Sequence, residues 1–389
     1  MQAGPTQNKT KKTKAAKEEF HEELIKSDGI YRSLYKNKFE DTPLEKNHTL
    51  KSKPLYIPRF DDEFNSSIVV DSWYKKSWWL YLLYPFALAV SFYTGSKRRK
   101  FIKNSSKLYK SEVPIIIVGN LTIGGTGKTP LVKYIAIELM KLGYKPGLVS
   151  RGYGGKYRRT LMVTNNTSVK QTGDEAQILS SLNIPFYIDK NRVRALKALN
   201  KNHDCDVIIS DDGLQHYKMN RDVEILVIDG KRRFGNNLSF PAGPLRESLK
   251  RLNSVDFVIN NSGPTEDGEY LMNVSPSKFV HLKSGKSYSV EDWPMHKQVH
   301  AVAGLGNPGR FFDLLVRLGF DITRNPFPDH HNFEDEDVHY LDQLPIIMTE
   351  KDASKCKDFD NNKIWYLTIE AEVSIKFIEK LNNKLKKFI

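Results

Sequence analysis

Cysteine is nearly missing: Cys205 and Cys356 are the only two in 389 residues. Two thiols exclude a disulfide framework and a cysteine-rich metal site, and a reducing compartment fits such a chain best. Acidic residues are also scarce, 46 against 60 lysines and arginines, leaving a net charge of +14 and a pI of about 9.4. That excess suits nucleic acid, an anionic membrane surface or a phosphorylated substrate, and solvated surface lysines account for it equally. An interleaved aromatic and basic surface motif is lacking, so no nucleic-acid partner is expected, and no protein partner is evident. Internal repeats are absent. Met1 to Lys17 is polar and lysine-rich with no apolar core, so no cleavable signal peptide is expected there. What is present is a globular composition, 39% hydrophobic and 27% charged, over a length that suits a large core and two domains.

Texture divides the chain into four parts: an extension over 1–68, a helical segment over 69–100, a main α/β domain over 101–295 and a smaller one over 296–389. The first nineteen residues are too poor in apolar side chains to pack and read as disordered. The next piece, EEFHEELIKSDGIYRSLYKNKF (Glu18–Phe39), has helical spacing. It resembles the extreme carboxyl tail of bacterial ABC exporters, which implies a fused or overrun reading frame. A proline-punctuated linker follows to about Ile68.

Ser77 to Tyr93 carries no charge and includes Trp78, Trp79, Tyr81, Tyr84 and Tyr93. Seventeen residues are at the lower limit for crossing a bilayer, and Pro85 is expected to kink the helix. Tryptophan and tyrosine favour the headgroup region, and Lys97–Lys100 would meet anionic lipid. The expectation is a helix lying in or dipping into a membrane; a buried core helix and a true span are the alternatives.

From Val113 apolar runs of strand length alternate with helical patterns: VPIIIVG, KPGLVS, PFYID, DVIISDD, VEILVID and DFVINN, with helices expected at Lys128–Leu142, Asp174–Leu182 and Asn191–Leu199. Runs without period-two alternation indicate a parallel sheet covered on both faces. After His300 a second series (VHAVAGLG, RFFDLLVRLG, FDITRNPF, PIIMTEK, IWYLTI) suggests a smaller α/β unit, and Val373–Ile389 reads as a terminal amphipathic helix. The fold class is therefore α/β: a P-loop parallel sheet with helices on both faces, a smaller carboxyl-terminal unit and an amino-terminal membrane-associated helix.

GNLTIGGTGKTP, Gly119 to Pro130, sits between a strand and a helix. Gly124, Gly125, Thr126 and Gly127 let backbone N–H groups crowd an anion at a helix amino terminus. Lys128 supplies a mobile charge for the outer phosphates, and the Thr129 hydroxyl can ligate Mg²⁺. The first glycine of G-x-x-x-x-G-K-[ST] is replaced by Thr122, which leaves open a turn without function. DVIISDDGLQH supports the functional reading, since Asp211 and Asp212 end an apolar strand where a P-loop protein holds its metal. Paired aspartates also form ordinary turns. Gly304–Gly309 fits G-x-G-x-x-G, with Asp321 early for a ribose contact, and is expected to be a strand-to-helix turn. TEKD, Thr349 to Asp352, has the wrong lysine–aspartate spacing for guanine recognition. A P-loop switch acting on a protein partner is the alternative function; acceptor-dependent nucleotide turnover would favour a kinase over it.

In order along the chain stand VPIIIVGNLTIGGTGKTPLVKYIAIELMKLGYKPGLVSRGYGG, GDEAQIL, SDDGLQH, NLSFPAGPLRES, AGLGNPGRFFDLL, FPDHHNF and MTEKDASKC. From about Val69 onward the chain resembles the tetraacyldisaccharide 4′-kinase family of lipid A biosynthesis. Thr122 then reads as that family's own loop. The resemblance implies ATP and Mg²⁺ as cofactors and a glycolipid acceptor, tetraacyldisaccharide 1-phosphate, phosphorylated to lipid IVA. It places the protein on the cytoplasmic face of the bacterial inner membrane. It also implies Asp174 of GDE as the catalytic aspartate with His330 of FPDHH as its partner. Lys128 and Thr129 would serve phosphate and metal, with Asp211 or Asp212 completing metal binding. Arg151, Tyr153, Arg192, Gln215, Arg246 and Glu247 match substrate-binding positions. Ala176 stands where family members commonly carry proline, and residues 1–68 have no counterpart. A sugar hydroxyl ionises far above neutral pH, so a carboxylate must accept its proton as attack proceeds.

Overall fold

The structure is a computed structural model, and it describes residues 69–104, 106, 108–306, 308–329 and 331–388. The readings on 1–68, including the tail-like piece at 18–39, lie outside the described residues, as does His330. A helical run at 69–75 and a 3-10 helix, Trp78–Leu83, lead into α1, Tyr84–Lys103. Pro85 falls in the first turn of α1, where its missing N–H costs nothing, so it starts this helix rather than kinking it.

The main half runs β1 (Ile115–Gly119), α2 (Lys128–Lys141), β2 (Pro146–Ser150), β3 (Leu161–Met162), α3 (Val169–Thr172), α4 (Asp174–Ser180) and β4 (Phe186–Ile188). It continues with α5 (Arg192–Asn202), β5 (Val207–Asp211), β6 (Val223–Asp229), β7 (Phe257–Asn261), β8 (Glu269–His281) and β9 (Ser287–Ser289). The second half runs β10 (Gln298–Ala303), α6 (Gly309–Arg317), β11 (Asp321–Pro326), β12 (Ile346–Thr349), α7 (Glu350–Ala353), β13 (Ile364–Val373) and α8 (Ile375–Leu385).

Among the described residues thirteen strands join one sheet, in the order β11-β10-β12-β13-β8-β7-β6-β1-β5-β2-β4-β3, with β9 on β8. Pairing within each half is parallel apart from β3 and β9, and the antiparallel β8–β13 pair joins the halves. β1 shows why its sequence is an unbroken apolar run. Ile116 and Val118 face Leu131, Ile135 and Leu139 of α2, whereas Ile115 and Ile117 face Leu196 and Leu199 of α5. Both faces are dry, so period-two alternation has nothing to select. The carboxyl-terminal helix α8 buries Phe377, Leu381 and Leu385 in that same first cluster, on the main half of the sheet. The smaller half has its own layers: Phe311, Phe312 and Leu315 of α6 on one face, Phe333 and Val338 on the other.

β1 lies between β5 and β6, and strand order reverses there. In open parallel sheets that reversal opens a crevice at the carboxyl ends of the strands, which is where ligands bind.

Candidate active site

β1 delivers the phosphate-loop sequence to this crevice, and the fourteen-residue α2 starts at Lys128 with Gly127 as its cap. Gly127 has φ +91°, and a Cβ there would lie 2.4 Å from Asn261 Nδ2, so glycine is required. Side chains tie the loop from outside. Asn261 Nδ2 donates to the Thr126 carbonyl at 3.0 Å, and Arg232 Nη2 to that of Gly125 at 2.8 Å. Asn120 Nδ2 donates to the Gly124 carbonyl at 3.3 Å. The buried Thr126 hydroxyl has no hydrogen-bond partner. Thr122 is explained by its neighbours. It forms an antiparallel bridge with Leu245, and Ile123 N–H donates to the Pro244 carbonyl at 2.8 Å. The loop entry is thus held by the PAGPLRE segment, and a glycine's freedom is not needed there.

β5 ends at Asp211, buried, with an Oδ1 that has no partner. Burial, reinforced by the charge of Glu175, pushes the Asp211 carboxyl up to about 7. Asp212 follows at φ +48°. Its Oδ1 stands 3.5 Å from Lys128 Nζ, and Arg246 Nη1 lies 3.1 and 3.2 Å from its two oxygens. Burial works to raise Asp212, but Lys128, Arg246 and Arg192 outweigh it and hold the carboxyl below the usual carboxylate range. Arg192 is buried and donates Nη2 to the backbone carbonyls of Asp211 at 3.2 Å and Asp212 at 2.7 Å. Gln215 Nε2 donates to the Asn120 carbonyl at 3.0 Å, joining the strand-end motif to the loop. Lys128, Asp211, Asp212, Arg192, Arg246 and Gln215 are therefore brought to one crevice, with Thr129 in the first turn of α2 beside it.

Glu247 points elsewhere. It accepts the Tyr217 hydroxyl at 2.8 and 2.9 Å and lies 3.7 Å from Arg251 Nε. Burial raises its pKa although Tyr217 and Arg251 oppose the shift. It borders a cleft of about 430 Å³ whose other wall is α1, with Leu88, Phe92 and Arg98.

Arg151 and Tyr153 are exposed on the loop after β2. That loop packs on the GDE turn: Gly173 has φ +82°, and a Cβ on it would meet the Tyr153 carbonyl at 1.9 Å. Asp174 opens α4, and Ala176 is buried in the first turn, so helix starts without proline. Asp174 Oδ2 stands 3.8 Å from Lys351 Nζ and 3.6 Å from Lys355 Nζ. The His331 imidazole is engaged by Asp337 at 2.8 Å. Gly304–Gly309 makes the turn from β10 to α6, and Asp321 accepts instead from Gln298 Nε2 at 3.1 Å.

Lys351 and Lys355 were not among the sequence candidates. Both lie in MTEKDASKC, a segment that carries part of the family resemblance, and the signal for them is a pair of lysines four apart just past an apolar strand. Among the described residues no group of three or more His, Cys, Asp or Glu is placed to hold a metal ion. None of the described helices is long and apolar enough to cross a membrane.

A family model described as Tetraacyldisaccharide-1-P 4′-kinase (LpxK) matches residues 79–386. A Tetraacyldisaccharide 4′-kinase of Ruthia magnifica subsp. Calyptogena magnifica is 46% identical over 298 residues, spanning 76% of this chain and 94% of the relative. One of Methylobacillus flagellatus is 40% identical over 319 residues, 82% of this chain and 95% of the relative. A crystal structure of LpxK from Aquifex aeolicus in complex with ATP superposes with a TM-score of 0.69 at 26% identity, covering 79% of this chain and 99% of that one.

Proposed function

The chain belongs to the tetraacyldisaccharide-1-P 4′-kinase family, and on that premise we propose that it transfers the γ-phosphate of ATP to the 4′-hydroxyl of tetraacyldisaccharide 1-phosphate. The product is lipid IVA, made at the cytoplasmic face of the bacterial inner membrane. The observation that carries this reading is the cluster of Lys128, Asp212, Arg246 and Arg192 at the mouth of a glycine-capped helix. A helix amino terminus, three cations and an ionised carboxylate suit a triphosphate with a bound cation.

Each residue has a definable task. Backbone N–H groups of Gly124 to Thr129 receive the phosphates, and Lys128 stabilises charge on the transferring group. Arg246 and Arg192 keep Asp212 ionised and add positive charge beside it. Asp174 accepts the acceptor hydroxyl's proton, and His330 orients that carboxylate. Arg151, Tyr153 and Gln215 line the approach of the disaccharide, and Glu247 anchors the wall beneath α1. Oxygen donors suited to Mg²⁺ are present: the Thr129 hydroxyl, the partnerless Asp211 Oδ1 and the ionised Asp212. When bound, the ion neutralises charge on the β- and γ-phosphates.

The amino-terminal helix is the membrane contact in this reading. Trp78 is 76% exposed, Leu82 70% and Phe92 72%, and Lys97 to Lys100 follow. An apolar aromatic face beside a basic run suits an anionic membrane interface. In this reading the chain divides into an extension over 1–68, the membrane-contact segment over 69–100, the kinase domain over 101–295 and a smaller domain over 296–389. The test is incubation with ATP, Mg²⁺ and the tetraacyldisaccharide 1-phosphate. A product phosphorylated at the 4′-position, absent with Lys128→Ala, supports the reading. ATP hydrolysis indifferent to the acceptor overturns it.

A further inference from the structure

Two lysines outside the phosphate loop converge on one oxygen of Asp174, at 3.6 and 3.8 Å. Both come from the short segment after β12, and α4 packs directly on that segment. Resting on the reading of Asp174 as the proton acceptor, we propose that Lys351 and Lys355 are positioning residues for it. They hold its carboxylate ionised and in one orientation while the acceptor hydroxyl attacks the γ-phosphate.

The lysines are themselves fixed. Lys355, 8% exposed at its side chain, donates to the His331 carbonyl at 3.0 Å and lies 3.4 Å from Asp352 Oδ1. Asp352 is fully buried, and its Oδ2 accepts from Gly304 N–H at 2.9 Å and the Thr349 hydroxyl at 2.7 Å. Lys351 donates to Asp329 Oδ1 at 3.0 Å. The glycine turn after β10 and the cap of α7 thus set where the Lys355 ammonium stands, and that ammonium faces Asp174. This gives the GLGNPG and TEKD segments one shared task.

Other charged groups stand on the surrounding elements. Glu350 is engaged by Lys133 of α2 at 3.8 Å, Asp329 by Lys351, and Asp352 by Lys355. Glu175 on α4 itself adds negative charge, and Lys128, Glu138 and Lys141 of α2, Lys170 of α3 and Arg151 of the loop after β2 also stand on segments packed against α4. Lys351 and Lys355 both stand within 4 Å of Asp174. Opposite charge at that range favours the ionised form of a carboxylate by about one to three pH units.

The experiment is kcat against pH at saturating ATP and acceptor for wild type, Lys351→Met, Lys351→Arg and Lys355→Met. With one ammonium removed, the acid limb should move up by about one unit, a loss of about tenfold at its acid end that shrinks as pH rises. Lys351→Arg should restore the limb, and KM for ATP should stay near wild type. Should Lys355→Met fail to fold, the Lys351 pair reads alone. A loss equal at every pH overturns the proposal, as does a raised KM for ATP with an unmoved limb. Asp174→Asn separates the two layers. If it is inactive while the lysine variants keep the wild-type limb, only this proposal falls; if it keeps its kcat, the proton-acceptor reading falls and takes this one with it.

Discussion

Lys128 Nζ and Asp212 Oδ1 stand 3.5 Å apart, one at the amino end of α2 and the other just past β5. The pair spans the crevice at the carboxyl edge of the sheet. Arg246 Nη1 meets the same Asp212 oxygen at 3.1 Å. In the proposed function Lys128 stabilises charge that develops on the transferring phosphate. Lys128→Ala should lower kcat by about a hundredfold or more, with circular dichroism unchanged. Near-normal turnover in the folded variant would contradict the phosphate-loop assignment.

Gly127 combines a left-handed φ with a neighbour that leaves no room for a Cβ. Gly127→Ala should destabilise the protein by about 1–3 kcal/mol and raise KM for ATP, because Asn261 must move and release the Thr126 carbonyl. A thermal melt and an ATP titration check both parts. A variant matching wild type in each would show that the loop is not held as described.

His216 bears on acid stability. Burial, with Arg192 and Arg221 adding to it, lowers its pKa to about 3, below the ordinary 6.5. The folded protein therefore keeps a neutral imidazole between about 3 and 6.5, while the unfolded chain takes up a proton there. Stability is full above the unfolded value and falls with pH through that window, by up to about 1.4 kcal/mol per unit. His216→Asn should flatten the dependence of the unfolding midpoint on pH between about 4 and 6.5. A slope equal to wild type would refute the shift.

The apolar face of residues 78–93 gives a binding prediction. Replacing Trp78, Phe86 and Phe92 by serine should cut sedimentation with anionic vesicles by about tenfold or more, while turnover of a detergent-dispersed acceptor falls less. Deleting 1–67 should leave both measurements nearly unchanged. Vesicle binding that survives the triple change would remove the membrane role from this face.

The sequence by itself determined the parallel sheet and the phosphate loop. Strands dry on both faces must be unbroken apolar runs, and IIIV at 115–118 or VEILVID at 223–229 reads as nothing else. Gly-Thr-Gly-Lys-Thr after such a strand carries its own chemistry, and the helices expected at 128, 174 and 191 begin within a residue of those positions. The longest described strand, Glu269–His281, has no apolar run to announce it in the sequence. It is only partly buried, carries Pro276 and Lys278, and is held by its antiparallel ladder to β13 rather than by an apolar run. Tertiary structure alone decided the pairings that govern charge. Arg246 reaches Asp212, Glu175 raises Asp211, and Lys351 and Lys355 meet Asp174 although these segments are distant in sequence and, for the last pair, follow strands far apart in the sheet order. Local propensity acts over a few residues, whereas electrostatic coupling depends on distance in space, which chain order leaves unspecified until the sheet is assembled.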